Sequence, residues 1–140
     1  MNQNSGKSIN WIVIGSISAL FAVVLGAFGA HALKAMLTDD LLKIYETGNR
    51  YHFYHSFAIL IVGIMNIIKF PDAILNQSSI KSFKFLQSSG WAFLIGIFVF
   101  SGSLYILAFT GIRILGAITP FGGISFMIGW LLFAISSVRK

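Results

Sequence analysis

The side chains able to do chemistry gather in a small part of a very apolar chain. All three histidines, His31, His52 and His55, fall within 25 residues, beside the two tyrosines of YHFYHSF (51–57). His52 and His55 are three apart, so a helix would turn both one way, and His31 could complete a metal site. Tyr51, Tyr54, Ser101, Ser103, Tyr105 and Thr119 bring hydroxyls that, with the imidazoles, could pass protons or a small polar solute. Paired imidazoles are also the residue type that ligates haem. The plainest alternative is structural: His31 and His55 hydrogen-bond across helix ends, and Tyr51, Tyr54 and Tyr105 act as interfacial aromatics. The apolar stretches hold no carboxylate to complete a triad with Ser101 or Ser103. GAFGAH (26–31) lacks the strand and lysine of a phosphate-binding loop. The chain has no cysteine, which excludes disulfides and thiolate metal sites. No enzyme, no cofactor and no metal centre is expected beyond that weak histidine set.

Composition decides where these groups sit. Of the 140 residues, 56% are hydrophobic and 10% charged. A soluble domain needs roughly 25% charged residues to hydrate its surface, so the surroundings here must be largely lipid. The net charge of +6 is spread singly over short connections. That pattern suits membrane orientation better than nucleic-acid binding.

Four uncharged stretches approach the ~20 residues that cross hydrocarbon: residues 9–32, 51–68, 90–109 and 114–138. The expected fold is all-α, a single membrane domain over residues 1–140 with four spanning helices, because helices close their own backbone hydrogen bonds. The first apolar run is too long for a cleavable signal peptide and reads as a retained span. Both termini then share a side with the 69–89 loop. That side carries Lys7, Lys69, Lys81, Lys84, Arg139 and Lys140, against Lys34, Lys43, Arg50 and Arg113 opposite. The bias predicts cytoplasmic termini. Trp11 and Trp91 would both sit at the inner interface.

Residues 34–50 read as a short outer helix capped by Thr38, with Asp39 and Asp40 on its positive end. Glu46 and Arg50 could pair one turn apart. The helix would lie on the membrane surface or run straight into the second span, with Gly48 and Asn49 as the expected bend. Pro71 ends that span, and a short interfacial helix is expected around 79–86. Pro120 predicts a kink or broken helix near the outer end of the fourth span, the alternative being a helix that starts there with Thr119 as cap. Trp130, deep in that span, reads as a packing residue. Small residues mark packing faces: Gly15, then Ala22, Gly26 and Ala30 at four-residue spacing, with Gly29 beside them, and Gly102, Gly122 and Gly123 later in the chain.

GAFGAHALK, YHFYHSFAIL, FSGSLYILAFTG and GAITPFGGISFMIGW, in this order and spacing, resemble a small bacterial inner-membrane family known only as a domain of unknown function, with a mitochondrial transmembrane relative in animals. The resemblance runs from about Gly15 to Ala134. It carries over to Gly26, Gly29 and His31, to Tyr51, Tyr54 and His55, to Ser101, Gly102, Ser103 and Tyr105, and to Gly116, Thr119, Pro120, Gly122 and Gly123. The family pattern implies glutamine where this chain has His52, a smaller aliphatic at Phe121, and a shorter middle loop. It implies topology and no known activity. The topology puts the polar motif of every span in the outer leaflet half, as one patch. The expected role is a binding or scaffolding component in the bacterial inner membrane, self-associating or with another membrane protein. A small-solute or proton transporter is the second class.

Overall fold

The computed structural model describes residues 9–70 and 77–138. Lys7, Pro71, Arg139 and Lys140, used above for topology, lie outside the described residues. Helix α1 runs Trp11–Phe28, widens into one π turn at Gly29–Leu33 and ends with Lys34–Met36. Asn10 caps it, its side-chain oxygen accepting from the Val13 N–H at 3.2 Å, a signal the sequence reading passed over. Helix α2 is unbroken over Asp39–Lys69. Thr38 caps it as expected, accepting from the Leu41 N–H at 3.5 Å. Helix α3 comprises Gln77–Gly96, a π turn at Ile97–Ser101 and Gly102–Thr110. It stops at Gly111, whose φ of 70° is the left-handed conformation glycine supplies cheaply. A 3-10 turn, Arg113–Ala117, leads into α4, Thr119–Ser137. No strand occurs among the described residues. All four helices are long and apolar enough to cross a membrane.

The outer helix runs straight into the second span as the first part of α2, one of the two arrangements expected, and without the bend expected at Gly48 and Asn49. Gly48 instead lets α3 come close: a methyl there would stand 3.1 Å from Leu104 Cβ. The interfacial helix around 79–86 is likewise the start of α3. Pro120 produces a break rather than a kink. It is the second residue of α4, where no intrahelical N–H is needed. Thr119 does not cap the helix with its side chain. No ion pair forms among the described residues, so Glu46 and Arg50 stay separate despite their spacing.

Successive helices alternate in direction. Trp11 Nε1 donates to Gln87 Oε1 at 2.6 Å, and Gln87 Nε2 to Asn66 Oδ1 at 3.1 Å. Lys69 Nζ and Ser82 Oγ both donate to the Ser136 carbonyl, at 3.0 and 2.6 Å. The start of α1, the ends of α2 and α4 and the start of α3 therefore share one end of the bundle. Trp11 is 1% exposed and packs edge-on to Trp91. It is a core residue and not the interfacial anchor expected from its position; Trp91 remains exposed. Around Trp11 an apolar layer forms from Ala58, Ile59, Val62, Leu86 and Phe93.

Lipid offers helices no hydrophobic reason to associate, so contact depends on close backbone approach. A methyl on Gly15 would stand 2.7 Å from the Leu60 backbone nitrogen, and one on Gly63 2.7 Å from that of Ile12. These two glycines make the α1–α2 seam. On the α3–α4 seam, Gly122 lies against the Phe100 backbone and Gly129 against the Phe93 ring. Gly123 is in looser contact with Phe100, while Gly102 faces open space and Ala30 is exposed. Neither of the last two packs a seam. We expect Gly122→Ala to destabilise the protein by about 1–3 kcal/mol through overpacking, and Gly102→Ala to be neutral or stabilising by up to about 1 kcal/mol. Thermal unfolding in detergent, followed by circular dichroism, compares the two; equal shifts would contradict the assigned seam.

Candidate functional site

α2 carries the polar residues that matter most. Ser56 is fully buried and its hydroxyl donates to the His52 carbonyl at 2.8 Å. That hydroxyl has no second proton, so Ser18 Oγ, 2.7 Å away, must donate to it. Ser18 then accepts from His52 Nε2 at 3.1 Å. His52 Nδ1 is left as an acceptor, and takes the Tyr105 hydroxyl proton at 3.2 Å. Tyr105 in turn accepts from Asn49 Nδ2 at 3.3 Å, while the same amide donates to the Ala22 carbonyl at 2.8 Å. The result is a one-way chain, Asn49 to Tyr105 to His52 to Ser18 to Ser56. It joins α1, α2 and α3 and leaves His52 neutral with its proton on Nε2. One turn away, Tyr45 ties its hydroxyl to the Leu25 carbonyl at 2.8 Å.

His55 faces another way and has a different chemistry. Its Nδ1 donates to the Tyr51 carbonyl at 2.8 Å, so its Nε2 must be the acceptor for Trp130 Nε1 at 3.4 Å. The ring lies flat on Phe126 with centroids 3.4 Å apart, and Phe93 flanks it. The two histidines are thus held in opposite neutral tautomers. Both spend both ring nitrogens on the protein. Trp130 packs here, on Phe93 as well as His55, as its depth suggested.

The single outer patch expected from the sequence is not present. His31 is exposed, and it lies 13 residues beyond Ser18 on α1, about 20 Å further along the helix. His31, His52 and His55 do not form a three-ligand group among the described residues. The expected site failed because α2 extends to Asp39 without a bend, which places His52 and His55 near its middle rather than at its tip. Tyr51 is partly exposed and packs on Phe100 with ring centroids 4.6 Å apart, and Tyr54 is exposed between α1 and α2. Ser103 and Thr119 pair with each other at 3.0 Å, stapling α3 to the start of α4. Ser101 is fully buried, and its hydroxyl has no hydrogen-bond partner among the described residues. Of the expected cluster, only Tyr105 joins the chain through His52. Ser18, Asn49, Ser56 and Phe126 were missed as members of the site. Ser56 shares a helix face with His52 at four-residue spacing, and an amide inside an apolar helix, Asn49, is itself a signal.

A groove of about 330 Å³ opens sideways between α1 and α2, at the end away from the termini. Gly26, Gly29 and Ala30 line it from α1, and Glu46, Arg50, Phe53 and Tyr54 line it from α2. Asn49 lies in its wall, so the hydrogen-bonded chain begins at the groove.

Glutamine at position 52, the residue the family resemblance implies, offers one acceptor and one donor, as this imidazole does. We expect His52→Gln to cost under about 1 kcal/mol, and His52→Ala about 1–3 kcal/mol because it strands the Tyr105 and Ser18 hydroxyls. Thermal unfolding in detergent measures both; equal losses would show that the chain does not carry the load assigned to it.

A family model described as "Protein of unknown function (DUF423)" matches residues 25–123. The chain is 41% identical over 129 residues to the UPF0382 membrane protein YwdK of Bacillus subtilis, spanning 92% of this chain and 96% of that protein. It is 40% identical over 129 residues to the UPF0382 membrane protein SERP0230 of Staphylococcus epidermidis, spanning 92% and 95%. The UPF0382 membrane protein SSP2132 of Staphylococcus saprophyticus is also 40% identical over 129 residues, spanning 92% and 97%. No solved structure matches. The sequence motifs, the four apolar helices and these relatives agree: the chain belongs to the DUF423 family of membrane proteins of unknown function.

Proposed function

We propose that the protein is a non-enzymatic binding component of the bacterial plasma membrane, with cytoplasmic termini, that receives a membrane-embedded molecule in the groove between α1 and α2. The observation that carries this reading is the contrast between a closed interior and an open flank. Ile59, Val62 and Phe93 are all 0% exposed and fill the bundle below the polar chain. The groove above them opens towards the bilayer. The non-enzymatic reading is supported by the engagement of His52 and His55, whose ring nitrogens all face protein partners inside the bundle. Orientation rests on the cation count between the two sides.

Proton conduction is the second reading, favoured by the one-way chain from Asn49 to Ser56. It stops at the apolar layer. Ser56 is ten residues from Asn66, about 15 Å along α2.

Two measurements separate these readings. A photoreactive phenylalanine at Phe53, in the groove, is expected to give one discrete adduct in native membranes. The same group at Phe98, 71% exposed on α3, should give only a mixture of bulk lipid. Identical products at both positions would overturn the binding reading. In proteoliposomes, proton flux should equal that of protein-free vesicles; a flux removed by His52→Ala would establish conduction instead.

A further inference from the structure

The groove holds two charged side chains in an unusual position. Asn49 reaches the Ala22 carbonyl of α1, and α1 carries no charge until Lys34. Arg50, beside Asn49, therefore stands about 18 Å short of the charged end of α1, next to apolar helix. Glu46 lies one turn further out, about 6 Å along α2. Both are exposed, both line the groove, and neither forms an ion pair among the described residues. An i,i+4 pair of opposite charges normally gains by meeting. Charges at membrane depth seek a partner even more strongly.

We propose that the groove binds the headgroup of a phospholipid carrying both a phosphate and a primary ammonium, with Arg50 on the phosphate and Glu46 on the ammonium. The proposal deepens the binding reading above and rests on it. Its main support is the order of groups along α2. From the bundle centre outwards the groove presents Phe53 and Tyr54, then Arg50, then Glu46. A phospholipid in the outer leaflet presents acyl chain, then phosphate, then amine, in the same direction. A guanidinium fits a phosphate with two parallel hydrogen bonds. A carboxylate accepts hydrogen bonds from an –NH3+ group. The small, exposed Ala30 leaves room for the glycerol unit beside α1. The occupant is a lipid and not a soluble phosphate ester because the groove opens on the flank of two spanning helices.

The test uses purified protein stripped of lipid and titrated with ethanolamine, choline and glycerol phospholipids of identical acyl chains, read by native mass spectrometry. The ethanolamine lipid should bind about three- to fivefold better than the others. A choline headgroup has no N–H to donate to Glu46, and a glycerol headgroup has no cation. Glu46→Gln should abolish the preference while keeping binding, and Arg50→Gln should weaken all three lipids. Both residues are exposed, so neither change threatens folding. Equal binding of the three lipids by wild type, or a preference that survives Glu46→Gln, overturns the headgroup assignment. Ala30→Phe, which fills the groove, separates the two failures. If it abolishes binding that shows no headgroup preference, only the assignment falls; if it changes nothing, the groove reading falls with it.

Discussion

A polar group inside hydrocarbon has no water to turn to, so leaving it without a hydrogen bond within the protein is costly. α2 carries the heaviest load of such groups: Asn49, His52, His55 and Ser56 on a single spanning helix. Every one of them is answered. α1 supplies Ser18 and the Ala22 carbonyl, α3 supplies Tyr105, and α4 supplies Trp130. The arrangement of the other three helices about α2 follows from those demands.

Short side chains can meet these demands only if backbones come near. A serine hydroxyl reaches barely beyond its Cβ, so the Ser18–Ser56 bond requires the α1–α2 seam that Gly15 and Gly63 allow. Packing and hydrogen bonding are therefore one device. Each interhelical hydrogen bond contributes only about 0.6–2 kcal/mol in a membrane, because the separated helices also find partners. The chain's larger effect is on register. Sliding α1 by one turn along α2 would break the links of Ser18 and Ala22 together, and would press Leu60 and Ile12 onto residues with side chains. The apolar contacts elsewhere tolerate such a slip far better, since one buried leucine resembles another.

The division of labour between the two histidines was hidden in the sequence. At three-residue spacing they look like a pair. Positions three apart on a helix are separated by about 60°, and here that angle spans a boundary between neighbours. His52 falls on the polar seam with α1 and α3. His55 falls among the aromatic rings of α3 and α4. His31 belongs to neither, because the chain enters α2 at Asp39 and uses three further turns before reaching His52. The expectation of an outer patch places His31 and His55 at facing ends of the first two spans, with a bend expected at Gly48–Asn49. Glycine and asparagine suggest a turn when read locally. In the bundle the glycine admits α3 and the asparagine bridges α1 and α3, so tertiary contact overrides local preference.

Composition and periodicity alone establish an integral membrane protein with four helices, an even number of crossings, a cap at Thr38 and an interruption of helix near Pro120, whether kink or break. These features depend on free energies that each residue contributes almost independently: transfer into lipid, backbone closure, and the missing N–H of proline. They can be added along the chain. The site depends on something else. Which face of α2 meets which neighbour is set by helix rotation and register, and a shift of one residue exchanges one partner for another at little cost in total hydrophobicity. Only the packed bundle decided that His52 joins Ser18 to Tyr105, that His55 is enclosed by Phe126 and Trp130, and that Glu46 and Arg50 open onto a groove instead of each other.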